Sequence, residues 1–214
     1  PDYSSAASDV YKRQEQHGSV GMTSEDPIFE GVYGTYSITD ADRQEVRFYR
    51  IALLITGLSL AAGVLQWWQS DSTWAWLWLL PMATALGLAL RWIHIYLRPL
   101  HRALQLLWLS GCIGWGALLL HAGPTEALST LREQPLWILA VGPLFAAMAG
   151  IGFKEFFCFQ RPEAIGLTLL LPAALLGHLV GLINGSLCLA LLESAASLLV
   201  LPVSYTHLRA HETS

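Results

Sequence analysis

Three observations predict an all-α, polytopic transmembrane helical bundle of six spans. Hydrophobic residues make up 54% of the 214-residue chain and charged residues only 13%, far below the quarter usual in soluble domains. Uncharged apolar runs long enough to cross a bilayer recur along the chain. Arg and Lys gather on alternate connections between those runs, which also predicts an orientation with the N-terminus cytoplasmic.

Both ends are set aside first. Residues 4–14 read SSAASDVYKRQ and residues 203–213 read VSYTHLRAHET. One permitted codon set for DVYKRQ gives a DNA element whose reverse complement, in a shifted frame, encodes VSYTH. The two ends are therefore one element read on opposite strands, and that element resembles the transposase-end adapter of sequencing libraries. Residues 1–14 and 203–214 are accordingly expected to be non-native tails on an environmental fragment. Between them lie a polar N-terminal extension, 15–47, and a transmembrane domain, 48–202, expected to be truncated at its end. On this basis His207, Arg209 and His211 form no metal or anion site, and Lys12 with Arg13 is no targeting signal. Met22 is a candidate native start.

In the extension, residues 34–39 alternate as a short strand or extended segment, and residues 40–45, DADRQE, read as a capped helix start. The residues before the first apolar run are acidic and turn-rich, so insertion is expected to be driven by the first span itself. That span covers about 51–68, and its Trp67 and Trp68 suit an interfacial belt. The second begins among Trp74, Trp76 and Trp78, another belt, and runs to about Tyr96 with Pro81 near its start. The third covers 103–121, the fourth 135–153 and the fifth 164–183. A short sixth, 187–202, carries Glu193. A five-span alternative merges 164–192 into one helix, but it places Asn184-Gly185-Ser186 in mid-helix. That tripeptide also matches a glycosylation sequon, and it reads as turn chemistry.

Nine basic residues remain after trimming. Arg43, Arg47, Arg50, Arg91, Arg98, Arg102, Lys154 and Arg161 fall on one side, and Arg132 alone on the other. Lipid gives helices no hydrophobic reason to associate, so small residues are expected at their contacts. Gly142, Ala146 and Gly150, and likewise Gly177, Gly181 and Gly185, stand at four-residue spacing and predict packing faces on the fourth and fifth spans.

No motif identifies a reaction. The formal charge of −4 is small and concentrated in the N-terminal segment, which excludes a nucleic-acid-binding surface. Cys112, Cys158 and Cys188 are isolated, against structural zinc or a disulfide framework. No cofactor is implied.

Three constellations remain. Residues 154–163, KEFFCFQRPE, form the densest polar cluster, a cytoplasmic docking loop in which Lys154, Glu155, Cys158, Arg161 and Glu163 are available to anionic headgroups or a protein partner. Pro162 and Glu163 also suit the first turn of a helix. Arg91, His94, Arg98, His101 and Arg102 recur at three- and four-residue steps, so one continuous helix would place them on one face as headgroup or haem-propionate contacts, unless Pro99 bends or ends it. Ordinary snorkelling of positive-inside residues accounts for the same stripe. His178 and Glu193, on either side of the 184–186 turn, come to similar depth, roughly 9 and 10 Å from it. They form a candidate proton-relay or ion-path pair, or a helix-holding hydrogen bond. His94 and His178 lie roughly 21 Å apart in depth and cannot hold one haem, which leaves His121 with His178 as the bis-His option.

Residues 150–164, GIGFKEFFCFQRPEA, with LTLLLP at 167–172 and DRQEVRFYR at 42–50, resemble an uncharacterised family of integral membrane proteins of cyanobacteria and plastids, a domain of unknown function. The resemblance covers about 31–202. It implies a multi-pass protein of a bacterial inner or thylakoid membrane and supplies no activity. Three functions follow as expectations. The first is a non-enzymatic factor for assembly or organisation of membrane complexes, with the bilayer and other membrane proteins as partners. The second is a proton-coupled transporter using His178 and Glu193, and the third a haem- or quinone-linked redox protein.

Overall fold

A computed structural model describes the backbone of residues 28–31, 34–37, 40–93, 98–159 and 162–212, and the side chains of 43–93, 98–156 and 164–200. The chain divides into two units, Pro1–Arg47 and Phe48–Ser214.

The first unit contains an antiparallel hairpin of β1 (Ile28–Gly31) and β2 (Gly34–Ser37), with Phe29 opposite Tyr36 and Gly31 opposite Gly34. The expected strand at 34–39 forms as β2, and β1 adds a partner that the sequence did not announce. Helix α1 (Asp40–Ser70) then starts at the predicted capped segment.

The second unit is helical. Asp71 and Ser72 turn the chain into a 3₁₀ stretch, Thr73–Trp78, that leads into α2 (Leu79–Trp92). Next come α3 (Arg98–Ala122), a short α4 (Ala127–Glu133), a 3₁₀ turn at Pro135–Trp137, α5 (Ile138–Phe159), α6 (Pro162–Leu179) and α7 (Gly185–Glu212). Four segments are long and apolar enough to cross a membrane: Arg43–Ser70, Thr73–Trp92, Arg98–Ala122 and Pro135–Phe156. Ala164–Leu179 and Gly185–Val200 are shorter apolar helices.

The long helix of the five-span alternative does not form. Helix α6 ends in a Schellman arrangement, with Leu182 N–H donating to Gly177 O (2.8 Å) and Gly181 N–H to His178 O (3.1 Å). Gly181 takes φ +73°, a conformation costly for any residue with a Cβ. Asn184 then caps α7, its Oδ1 accepting from Leu187 N–H at 2.8 Å. The expected turn chemistry at 184 is thus observed.

Among the described residues, α3 packs against α5, α5 against α6 and α6 against α7. Their cores are Leu118, Val141, Leu144, Met148, Ile151, Leu167 and Leu171, all under 2% exposed. The small residues that permit contact are not the predicted ones. On α3, Gly111 and Gly114 let the α5 backbone in, since a Cβ there would collide with Leu144 N and Ala140 O. On the predicted α5 stripe, Gly142 meets only Ile138 of its own helix and Ala146 is exposed. Gly150 alone works as expected, under Leu104. Gly181 and Gly185 have open space where a Cβ would go and serve the turn instead of a packing face.

Hydroxyls inside the bundle bond back to their own helices, as an apolar surround requires. Buried Thr56 donates to Ala52 O at 2.8 Å, and Thr168 to Ala164 O at 2.9 Å.

Candidate intramembrane site

The two tryptophan clusters, read from sequence as interfacial belts, divide between outward and inward roles. Trp68, Trp74 and Trp78 are 40–51% exposed. Trp67 and Trp76 line an apolar cavity of about 100 Å³, and Trp78, though 40% exposed, borders it too. Every helix of the second unit contributes to that lining. Helix α1 gives Ser59, Gly63 and Val64, the 3₁₀ stretch Ala75 and Trp76, α2 Met82 and α3 Trp115. Helix α4 gives Leu131 and Arg132, α5 Val141 and Phe145, α6 Leu175 and His178, and α7 Cys188, Leu189 and Leu192.

Arg132 is part of the cavity lining. Its guanidinium bonds Asp71 Oδ1 at 2.8 Å and sits 5.2 Å over the Trp67 ring. The Asp71 turn is thereby tied to α4. Gln66 ties the same corner together, accepting from Trp78 Nε1 at 2.7 Å and donating to Ser72 Oγ at 3.2 Å.

His178 borders the cavity, half-buried, with Nδ1 3.4 Å from Ile183 O. A carbonyl oxygen only accepts, so Nδ1 is the donor in this contact. Glu193, also half-buried, has Oε2 shut off from solvent without a hydrogen-bond partner. Among the described residues no hydrogen bond joins His178 to Glu193, because the imidazole turns back to the 180–184 loop that ends its own helix.

The docking loop is also rearranged. Tyr49 of α1 donates to Glu155 Oε1 at 2.7 Å, and Lys154 Nζ lies 3.3 Å from the same oxygen and 5.2 Å over the Tyr49 ring. The Lys154 and Glu155 side chains are only 12% and 17% exposed, gathered against Tyr49. The cause is Tyr49, 106 positions away, which no local pattern reveals. The Cys158 and Glu163 side chains and all of Arg161 lie outside the described residues. Helix α6 does begin at Pro162, as expected.

The basic stripe does not occupy one helix face. Helix α2 stops at Trp92 and α3 starts at Arg98 with Pro99 in its first turn, so the proline opens a helix instead of bending one. His94 lies outside the described residues. His101 is not offered to ligands, because its Nε2 donates to Leu90 O at 2.7 Å and satisfies a carbonyl left over at the end of α2. Arg91, Arg98 and Arg102 are exposed. Arg91 and Arg102 face one groove of about 440 Å³ with Gln105, Leu106 and Leu109.

His121 stacks against Trp137, ring centroids 5.2 Å apart. Among the described residues no three His, Cys, Asp or Glu side chains gather as a metal site.

A family model for an uncharacterized integral membrane protein, DUF2301, matches residues 88–208. The match takes in α3 to α6 and most of α7, and with them Trp115, Arg132, His178 and Glu193. No curated protein and no solved structure matches the chain. More than half of the sequence is covered by the family model, and the chain belongs to the DUF2301 family of uncharacterised integral membrane proteins.

Proposed function

We propose that this protein holds a small apolar molecule inside its helix bundle and serves other membrane complexes as a non-enzymatic assembly or organisation factor. The carrying observation is the cavity itself, lined by residues of α1 to α7 and almost wholly apolar. Apolar pockets with a few convergent polar groups, set between helices, are the usual form of small-molecule sites. In lipid, an unfilled cavity between helices is costly because packing is what holds them together. An occupant restores those contacts.

The same proposal places six spans in a bacterial inner or thylakoid membrane, with the N-terminus on the cytoplasmic or stromal side. Support comes from Arg43, Arg47 and Arg50 early in α1, Arg91 late in α2, Arg98 and Arg102 early in α3, and Lys154 late in α5, against Arg132 as the one other Arg or Lys among the residues whose side chains are described. The Arg91 and Arg102 groove suits an anionic headgroup on that side. Helix α6 is short for a span, and thinning of the bilayer accommodates it at modest cost. Partner docking at 154–163 falls to Cys158, Arg161 and Glu163.

Organic extraction of protein purified in mild detergent tests the proposal. About one retained apolar molecule per chain is expected, and bulk lipid alone would refute it. One observation favours a second reading, proton-coupled transport: the unpartnered Oε2 of Glu193 on α7. Glu193→Gln in proteoliposomes is then expected to abolish substrate flux, and unchanged flux would sink it.

A further inference from the structure

The groove between the end of α2 and the start of α3 has fixed walls and unanswered charge. Arg91 of α2 and Arg102 of α3 both line it, and among the described residues neither guanidinium has a carboxylate partner, whereas Arg132 has Asp71 and Lys154 has Glu155. No acidic residue is in the lining. Two hydrogen bonds between the helices hold the walls. His101 Nε2 donates to Leu90 O at 2.7 Å, each residue the sequence neighbour of one of the two arginines, and Trp108 Nε1 donates to Ala83 O at 2.8 Å. On each helix the two bonds are separated by about 10 Å of helix rise. At the inner bond Gly87 admits the Trp108 ring, since a Cβ there would lie 2.7 Å from Trp108 Cζ2. Polarity therefore changes along the groove. The guanidiniums stand where α2 stops and α3 starts, and farther along come the Trp108 indole and the exposed Leu106 and Leu109.

Resting on the membrane placement proposed above, we infer that this groove holds one anionic phospholipid, its phosphate between Arg91 and Arg102 and the first part of an acyl chain along Trp108, Leu106 and Leu109. Guanidinium forks match phosphate oxygens, and two of them from different helices fix one phosphate in place. A free phosphate would use the arginines and leave the apolar wall uncovered. A zwitterionic headgroup would bring an ammonium to two arginines with no carboxylate in the lining to receive it. A hydroxylated anionic headgroup brings no such repulsion, and Gln105, one corner of whose amide lies 3.1 Å from His101 Nε2, has its other corner for the hydroxyls. A volume of about 440 Å³ falls within the roughly 300–1,000 Å³ of small-molecule sites, the scale of a headgroup with the start of one chain. Diffuse positive-inside charge makes a different prediction. It would weight Arg98, exposed one turn before Arg102 and outside the groove, equally with the two arginines that line it.

The test titrates the delipidated full chain in uncharged detergent with phosphatidylglycerol or phosphatidylcholine of identical chains and reads bound lipid by native mass spectrometry. About one phosphatidylglycerol per chain is expected, held roughly fivefold or more tighter than phosphatidylcholine. Arg91→Gln and Arg102→Gln are each expected to weaken phosphatidylglycerol about tenfold, the scale of one charge-assisted hydrogen bond, and Arg98→Gln to leave it unchanged. Arg91 and Arg102 stand on different helices, so either variant decides if the other unfolds. Equal loss from Arg98→Gln, unchanged binding in Arg91→Gln and Arg102→Gln, or equal retention of the two lipids would overturn the site. Millimolar inorganic phosphate is the competing probe. It should leave the lipid bound, and displacement would overturn the lipid assignment in favour of a small-anion site. These failures leave the cavity and the orientation standing, because a micelle measurement reads neither, and extraction without a cavity occupant overturns the cavity proposal alone.

Discussion

Gly114 of α3 lies directly against the carbonyl of Ala140 of α5, so close that no side chain fits between them. With Gly111 against the Leu144 backbone one turn earlier, it lets the two helices approach at backbone distance. Where lipid removes the hydrophobic drive for association, such close packing is what holds a bundle together.

Gly114→Ala is therefore expected to destabilise the bundle by about 1–3 kcal/mol or more, because the obstructing atoms are backbone and cannot rotate away. Gly116, two residues on, has nothing within 4 Å of an added Cβ. Gly116→Ala should be neutral or stabilising by up to about 1 kcal/mol from helix propensity. Thermal unfolding in detergent checks the pair, and equal effects would contradict the assignment of the α3–α5 contact.

The Tyr49–Glu155 hydrogen bond should show energetic coupling. Tyr49→Phe and Glu155→Gln are each expected to destabilise, with a double-mutant-cycle coupling of about 1–2 kcal/mol, since the acceptor is charged and the pair half-buried. Strict additivity would mean that the inward turn of the 154–155 segment does not depend on this bond.

The α6–α7 turn offers a third check. Gly181→Ala forces a Cβ into φ +73° and should cost about 1 kcal/mol. Asn184→Ala removes the α7 cap for a similar cost of about 1 kcal/mol. A chain that ran as one helix through 180–184 would instead be stabilised by both changes. Unfolding curves of the two variants decide between these outcomes.

At Arg132 and Asp71 a smaller effect is expected. Both side chains are substantially exposed, at 46% and 74%, so Arg132→Ala should cost under about 1 kcal/mol despite the 2.8 Å contact. The loss should shrink as salt is added. A large, salt-independent loss would show that Arg132 carries structural weight through Trp67 instead.

Hydropathy located the helices because burial in lipid leaves its mark on composition, and the break at 180–184 was readable from Asn184 and Gly185. Direction around each helix was not readable. Trp67 and Trp68 are neighbours in sequence, yet one lines the cavity and the other is 48% exposed. Small-residue spacing misled for the same reason. Gly177, Gly181 and Gly185 match a packing pattern that the turn itself interrupts, whereas Gly111 and Gly114, at three-residue spacing, meet α5. Lys154 and Glu155 looked like free interfacial charges because their partner, Tyr49, is distant in sequence. A cavity has no sequence signal, since its lining residues are those of any core.

Filling that cavity tests its occupancy most directly. Leu189 lines it and is 7% exposed, so Leu189→Phe should occupy the space without disturbing the bundle surface. Organic extracts of the purified wild-type protein should contain about one small apolar molecule per chain, and extracts of Leu189→Phe, folded and at least as heat-stable, should lack it. The same molecule in equal amount from both proteins, or none from the wild type, would contradict an occupied cavity.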